Sequence, residues 1–487
     1  MQSIKNRFLI NTIFFFLVYG LMFYVVLRAV FMDITHDEAY SFYNAKHFWW
    51  VETLCTGNTH WFNFLAIKTC LLFGLEKASQ LRWFTLLSSG IFLTLVYYWI
   101  RSIRSFHVKV FAFAVSVLNP FLIDYLSLAR GYSTGLMFET LSIAFYFISI
   151  KKRKRSIGTF SLLLAGMSAI ANFNFFYFFA AFSIVYFFQF HFKKRSQFLK
   201  QPLFYWEVLF VFFISALVLK ALHFITVCSN DIGAYGGEDL VSGVFRGFIH
   251  TLVYREGIHL SLIDGFAFVF CLGICMACIY GIRLTRKHRN ETYAFSSSVL
   301  LIMIILTLVT KLAFGVLYPT YRTALMFYPL FSLVLVGFLS AIITNIKLRR
   351  VIFIGCGVVL ALNFCSTLSL RRSFDYWQQS DTKKAFTYLD RIGANYVGAS
   401  PELYGVYRNY YQLTDHQRFH FEGTRIHTMD PKGLDATGVS LQKFEYLVLF
   451  PPYDLSFYRA NRVRFEGMMY FPNTGTLILK CVAITKL

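Results

Sequence analysis

Phe14-Phe15-Phe16-Leu17-Val18-Tyr19-Gly20-Leu21-Met22-Phe23-Tyr24-Val25-Val26-Leu27 lies within an apolar run over residues 8–31, and Thr35-His36-Asp37-Glu38-Ala39-Tyr40 follows at once. At ~1.5 Å per residue, a helix of this length crosses a hydrocarbon core of about 30 Å. Lys5 and Arg7 precede the run, and the cytoplasmic bias of such cations predicts an inward N-terminus. The acids of the following run are then expected at the outer membrane surface, among lipid headgroups. The apolar core is too long for a cleaved signal peptide, and no small-residue cleavage site follows, so the segment is expected to stay as an anchor.

Working outward, the same pattern repeats along the chain. Of 487 residues, 57% are hydrophobic, 20% aromatic and only 15% charged, which excludes an ordinary soluble domain. Mean hydropathy is +0.54. The net charge of +22 suggests nucleic acid at first sight, but the cations are gathered in short loops between apolar runs. Those loops are Lys151-Lys152-Arg153-Lys154-Arg155, Lys193-Lys194-Arg195, the stretch 283–289 and the stretch 347–350. That is the positive-inside distribution of a polytopic membrane protein, and no nucleic-acid partner is expected. Further spans are predicted near 81–100, 108–126, 132–150, 157–171, 175–191, 204–223, 262–282, 295–313, 323–345 and 351–369, about eleven in all. An odd number puts the C-terminus outside. Short loops and the absence of eukaryotic retention signals point to a bacterial inner (cytoplasmic) membrane.

Residues 1–370 thus read as a transmembrane domain with two long external loops, 32–80 and 224–261. Within the first, 60–75 reads as an amphipathic helix lying in the interface. The second, rich in glycine and charge, reads equally as a lid or a connector. Residues 371–487 turn soluble and read as a small external α/β domain. Its expected elements are a helix over 381–393, a strand over 396–399, a helix from Pro401 to Leu413, a strand over 446–450, and a hairpin over 466–484 turning at Pro472-Asn473-Thr474-Gly475. Cys271, Cys275 and Cys278 fall on one predicted span and read as small apolar packing rather than metal ligands. Cys55 and Cys228 both face outward in this topology.

Thr35 and Glu38 have capping-box spacing, which by itself accounts for Glu38. Asp37 has no such duty, and at i+3, i+4 and i+7 it shares a helix face with Tyr40, Ser41 and Asn44, a stripe suited to a hydroxylated substrate. A solvated first-turn acid is the plainer alternative for Asp37. A second element runs from Asn119-Pro120-Phe121 through Asp124-Tyr125 to Ala129-Arg130-Gly131-Tyr132-Ser133, in an external turn. Its Arg130 can snorkel to headgroups or grip a phosphate in bidentate fashion. A third comprises Lys311 in an apolar run, Tyr321-Arg322 beyond it, and Lys220 with His223 at the outer end of another span. Ionisable groups so placed are candidates for an anionic headgroup, or interfacial anchors. His60, after Gly57-Asn58-Thr59, is read as structural or as acceptor support.

These residues carry a resemblance. His36-Asp37-Glu38-Ala39-Tyr40-Ser41, His60 ahead of an apolar stretch ending Leu72-Phe73-Gly74, and Leu81-Arg82 look like the opening of GT-C glycosyltransferases. The branch most similar holds the protein O-mannosyltransferases and aminoarabinose transferases. Ala129-Arg130-Gly131-Tyr132-Ser133 is similar to its arginine–tyrosine motif, and Tyr321-Arg322 with Pro329 to its later arginine segment. The resemblance covers residues 30–140 and, more loosely, 315–345. The chain departs from the commoner His-Pro-Pro pattern, with His60-Trp61-Phe62 in its place. The resemblance implies a GT-C-like helical membrane fold and inverting transfer from a polyprenyl-phosphate sugar. It puts Asp37, assisted by Glu38, at the catalytic centre. Arg130, Tyr132, Lys311, Arg322, Lys220 and His223 are expected at the donor phosphate, with Tyr40, Asn44 and His60 supporting the acceptor.

The acceptor is left open as a glycan, lipid or protein, bearing a hydroxyl or an amine. No obligatory cofactor or metal is expected, although a divalent ion on Asp37 and another external acid is an alternative. Three rival readings remain at this point, one of them a non-catalytic scaffold whose external domain binds a partner. A flippase for lipid-linked sugars explains the spans but not the outward acid. An O-antigen polymerase or ligase would rely on arginines of the second loop, Arg246 and Arg255.

Overall fold

A computed structural model of the protein describes residues 2–48, 60–189, 202–229, 237–254, 260–285, 291–394, 397–399, 401–414, 445–449, 464–471, 474 and 476–482. It is mostly helical. In chain order the first helices are α1 (Gln2–Phe31), α2 (His36–His47), α3 (Trp61–Leu72), α4 (Ala78–Leu81), α5 (Trp83–Ser102), α6 (Phe106–Val117), α7 (Pro120–Ser127) and α8 (Gly131–Lys152). They are followed by α9 (Arg155–Ala171), α10 (Phe176–Phe187), α11 (Pro202–Ser229), α12 (Arg246–Val253), α13 (Leu260–Thr285), α14 (Glu291–Phe314), α15 (Tyr328–Ile342) and α16 (Ile346–Ser366). The C-terminal part adds α17 (Thr382–Arg391), α18 (Pro401–Val406), α19 (Gln412–Thr414) and four strands.

Among the described residues eight helices are long and apolar enough to cross a membrane, and nine if α6 and α7 form one bent span. The predicted runs at 157–171 and 175–191 hold the shorter apolar helices α9 and α10. The 55° bend between α6 and α7 has a local cause. Pro120 has no N–H to continue a helix and disfavours helical backbone at the residue before it. Asn119 is accordingly extended, and its Oδ1 caps α7 by accepting from the N–H groups of Phe121 and Leu122 at 2.9 and 3.2 Å.

The chain divides into two compact units: residues 1–27, 49–66 and 82–368 make the first, and residues 28–48, 67–81 and 369–487 the second. In the first unit the helices pack through aromatic rings and small polar residues. Tyr146 stacks on Phe295 at 3.9 Å, and Phe248 on Phe270 at 5.1 Å. Ser89 donates to the Leu126 carbonyl, and Ser88 bonds Thr134 across α5 and α8. Small residues let helix backbones approach closely where burial against lipid gives no hydrophobic drive. Glu207 of α11 is wholly enclosed. It accepts from Arg155 Nη2 (2.8 Å), Thr159 Oγ1 (2.6 Å) and the Tyr186 hydroxyl (2.8 Å), so its charge is matched where water is absent. The outer faces stay apolar, with Phe8, Phe16 and Phe23 of α1 exposed as lipid-facing residues are.

The second unit is built on a four-stranded sheet of order β1-β2-β4-β3, with β1 (Val397–Ala399), β2 (Tyr446–Leu449), β3 (Arg464–Phe471) and β4 (Thr476–Val482). β1 runs parallel to β2, while β2/β4 and the β3/β4 hairpin are antiparallel, with a bulge between Gly467 and Met469. The strands, the hairpin and the helix α17 fall where the hydrophobic alternation puts them. Residues 28–48 and 67–81 pack in this same unit. Arg28 is buried at the end of α1 and donates to the Ser369 carbonyl and, at 2.9 Å, to that of Arg372. Of the stretch 224–261, read as a lid or a connector, most of the described part is helical: a π-helical turn over Val241–Phe245 leads into α12, and Gly237 pairs with Tyr318. Cys55, Arg255 and most of the turn at 472–475 lie outside the described residues, as does the side chain of Cys228.

Candidate active site

In the second unit, Thr35 caps α2. Its Oγ1 accepts from the Glu38 N–H at 3.3 Å, and Glu38 Oε2 accepts from the Thr35 N–H at 3.0 Å and its hydroxyl at 3.2 Å. Glu38 is 2% exposed and its carboxylate serves this reciprocal cap. Asp37 is 5% exposed and is left to other partners. The Tyr376 hydroxyl donates to its Oδ2 at 2.5 Å, and His36 Nδ1 lies 3.7 Å from Oδ1. The position is rigid on both sides. The His36 N–H donates to Gln379 Oε1 at 2.7 Å, and any Cβ at Gly405 would stand 2.3 Å from the His36 ring. The Ser41 hydroxyl turns back to the Asp37 carbonyl at 2.9 Å; Ser41 and Asn44 are buried and Tyr40 half-buried along the expected stripe.

The first unit holds a second group. Arg130 is 1% exposed at the N-cap of α8, and Tyr132 is 3% exposed two residues on. His60, buried, meets the Tyr132 ring edge-on at 5.4 Å, and Tyr125 does so at 4.8 Å. Asn63 Nδ2 donates to the Ala129 carbonyl at 2.6 Å, tying the start of α3 to the arginine turn. Gly131 makes this closeness feasible: a Cβ there would stand 2.3 Å from the Ala171 carbonyl oxygen and 2.7 Å from His60 Cβ. Asp124, also buried, accepts from the Tyr254 hydroxyl at 2.5 Å. Tyr254 has a left-handed φ of +57°, a strained setting for a non-glycine residue.

The other expected donor-site residues are placed differently. Lys220 and His223 are exposed on α11. Lys311 is half-buried near the end of α14, beside Thr310, whose hydroxyl bonds Tyr177 at 2.9 Å. Arg322 is half-buried in a 3₁₀ turn over Tyr321–Phe327 that opens on a left-handed Tyr321. Arg246 is held by Asp264, Nε to Oδ1 3.2 Å.

No family model matches the chain, and no curated protein matches it. Solved structures do. The crystal structure of ArnT from Cupriavidus metallidurans in the apo state superposes with a TM-score of 0.55 at 10% identity, over 96% of this chain and 98% of that one. The same protein bound to undecaprenyl phosphate superposes at 0.53 and 10% identity, over 96% and 97%. The chain shares the fold of these ArnT structures. The likeness spans nearly the whole of both chains, far beyond the two stretches whose residues carry the sequence resemblance. Among the described residues, no three His, Cys, Asp or Glu side chains cluster as a metal's ligands would. Two pairings had no sequence signal: Tyr376 reaches Asp37 from 339 positions away, and Tyr254 reaches Asp124 from 130.

Proposed function

We propose that the protein is a membrane glycosyltransferase that moves a sugar from a polyprenyl-phosphate donor to a glycan, lipid or protein acceptor on the outer face of a bacterial inner membrane. The single observation that carries the reading is the near-complete GT-C superposition, which includes a neighbour bound to undecaprenyl phosphate. Asp37 is the proposed general base. It would take the proton of the acceptor hydroxyl or amine, whose freed electron pair attacks the anomeric carbon from the side opposite the phosphate. The bond from that carbon to the phosphate oxygen breaks, its electrons leave with polyprenyl phosphate, and the sugar is inverted. Proton removal by a positioned base contributes typically ~10²–10⁴-fold. Glu38 supports Asp37 through the cap that fixes α2. Arg130 is the proposed phosphate-binding cation, since a buried guanidinium matches a phosphate's oxygens in bidentate fashion. Lys311 and Arg322 are secondary candidates for the same charge, Lys220 and His223 for interfacial contacts, and Tyr40, Asn44, His60 and Tyr132 for positioning substrates. We propose no obligatory metal; a divalent ion on Asp37 is the alternative the test separates by chelation.

The test uses full-length protein in lipid nanodiscs with a panel of radiolabelled polyprenyl-phosphate sugars, with and without chelator. Wild type should release polyprenyl phosphate from one donor of the panel, and Asp37→Asn should release ~10²-fold less or none. Equal binding of lipid-linked sugar by both proteins, with turnover by neither, would sink the transferase reading and favour transport.

A further inference from the structure

A cleft of about 420 Å³ opens in the second unit, and Asp37 does not line it. Its walls are the end of α1 (Phe31, Asp33), the 369–372 turn (Arg371), one face of α17, and β3 (Met469, Phe471). Lys383, Thr387 and Arg391, spaced four apart, line it along α17. Four cations and one acid contribute to the lining, and the acid is already engaged: Asp33 Oδ2 accepts from the Lys383 backbone N–H at 3.2 Å. Lys384 is held by Asp381 at 2.5 Å. The side chains of Arg371, Lys383 and Arg391 are exposed and pair with no acid among the described residues. With Lys384 matched by Asp381, three cations face the one carboxylate of Asp33, so the concavity keeps a net positive charge and gains when an anion enters.

The same cleft has an apolar lip. Phe31 is 49% exposed and Met469 37% exposed, with Phe471 beside them. Phe31 is also the last residue of the first membrane-crossing helix, so this lip stands where that helix leaves the hydrocarbon. Cations set just beyond an apolar edge match a ligand whose phosphate continues into acyl chains. The walls are preformed, because Arg28 fixes the turn that carries Arg371 and the Asp33 bond fixes the start of α17. We propose that this cleft binds the phosphate headgroup of a membrane lipid, with Arg371, Lys383 and Arg391 as its cationic contacts and Phe31, Met469 and Phe471 against its glycerol and upper acyl chain. None of these residues belongs to the proposed transfer machinery, so the site stands or falls separately from the reaction.

The experiment titrates the full-length protein, in nanodiscs of phosphatidylcholine, with short-chain phosphatidylglycerol, read by native mass spectrometry. Inorganic phosphate is run as a parallel arm. The variant is R371Q/K383Q/R391Q, with Lys383→Arg as the charge-conserving control and a thermal melt to show that both are folded. Each cation near an anionic lipid is worth about fivefold, so the triple variant should bind phosphatidylglycerol about a hundredfold more weakly, while Lys383→Arg binds like wild type. Equal affinity in wild type and the triple variant overturns the proposal. So does binding of inorganic phosphate as tight as that of the lipid, which would make the cleft a site for a free anion.

Discussion

The Tyr376 hydroxyl sits 2.5 Å from Asp37 Oδ2, on a residue that no spacing in the chain connects with the first loop. A hydrogen bond to a charged group is worth ~1.5–3 kcal/mol, and its loss here frees the carboxylate to turn away from a bound acceptor. Tyr376→Phe is therefore expected to lower kcat about tenfold or more while leaving the KM for donor nearly unchanged, as steady-state assays over a donor series will read. A merely structural tyrosine would lower the melting temperature and leave kcat per folded molecule alone. Gly131 gives a second residue-scale expectation. Its missing Cβ makes room for the Ala171 carbonyl, a backbone atom that cannot swing aside. Gly131→Ala should destabilise the protein by ~1–3 kcal/mol, seen as a lower melting temperature in detergent. At this scale the sequence singled out Asp37, Arg130 and His60 as candidates, because residue type and position relative to an apolar span carry chemical meaning, and the structure buries all three. It left Tyr376 and Tyr254 unread, because a tyrosine in an aromatic-rich chain carries no mark of its distant partner.

Elements were easier to read than their lengths. The alternation in β2 and the hairpin of β3 with β4 is a local signal, and the strands stand where period-two patterning puts them. The runs at 157–171 and 175–191 are helices, yet hydropathy alone does not say whether such short ones cross. The stretch 224–261 was read from its glycines and charges as a lid or a connector. Several of those glycines instead serve close approach: Gly247 in α12 lies against the Tyr321 backbone. β4 carries an expectation of its own. Burial pushes the Cys481 thiol up to about 11, from an ordinary value of 9.0. Because the folded value is the higher one, the neutral thiol's contribution to stability is intact below pH 9.0 and lost as pH rises towards about 11. Melting of the protein between those limits should show a decline that Cys481→Ala reduces, and Cys481 should resist iodoacetamide at pH 8 until the protein is unfolded, when mass spectrometry will find it alkylated.

For the whole molecule, the charges decide what helix length leaves open. If residue 1 is inside, as Lys5 and Arg7 predict, α1 and α5 bring the chain back to the cytoplasmic side at Arg101 and Arg104. If the bent pair of α6 and α7 crosses, Arg130 lies outside and α8 returns Lys151-Lys152-Arg153-Lys154-Arg155 to the inside. If the pair is only re-entrant, α8 runs the other way and that five-cation loop lands outside, against the positive-inside bias. The two short helices α9 and α10 do not affect this choice. Crossing together or not at all, they leave Lys193-Lys194-Arg195 on the same side as the earlier loop, and the later basic stretches at 283–289 and 347–350 follow. Nine crossings and eleven therefore give one orientation, with residues beyond 370 outside, while eight gives another. Single cysteines at Lys152 and at Glu466, in a chain whose native cysteines are replaced, distinguish the two in intact spheroplasts. An impermeant maleimide should label the Glu466 position and spare the Lys152 position until the membrane is opened. Labelling of the Lys152 position in sealed cells would make the bent pair re-entrant and move Asp37 and Arg130 to opposite sides of the membrane. No single transfer reaction would then use both.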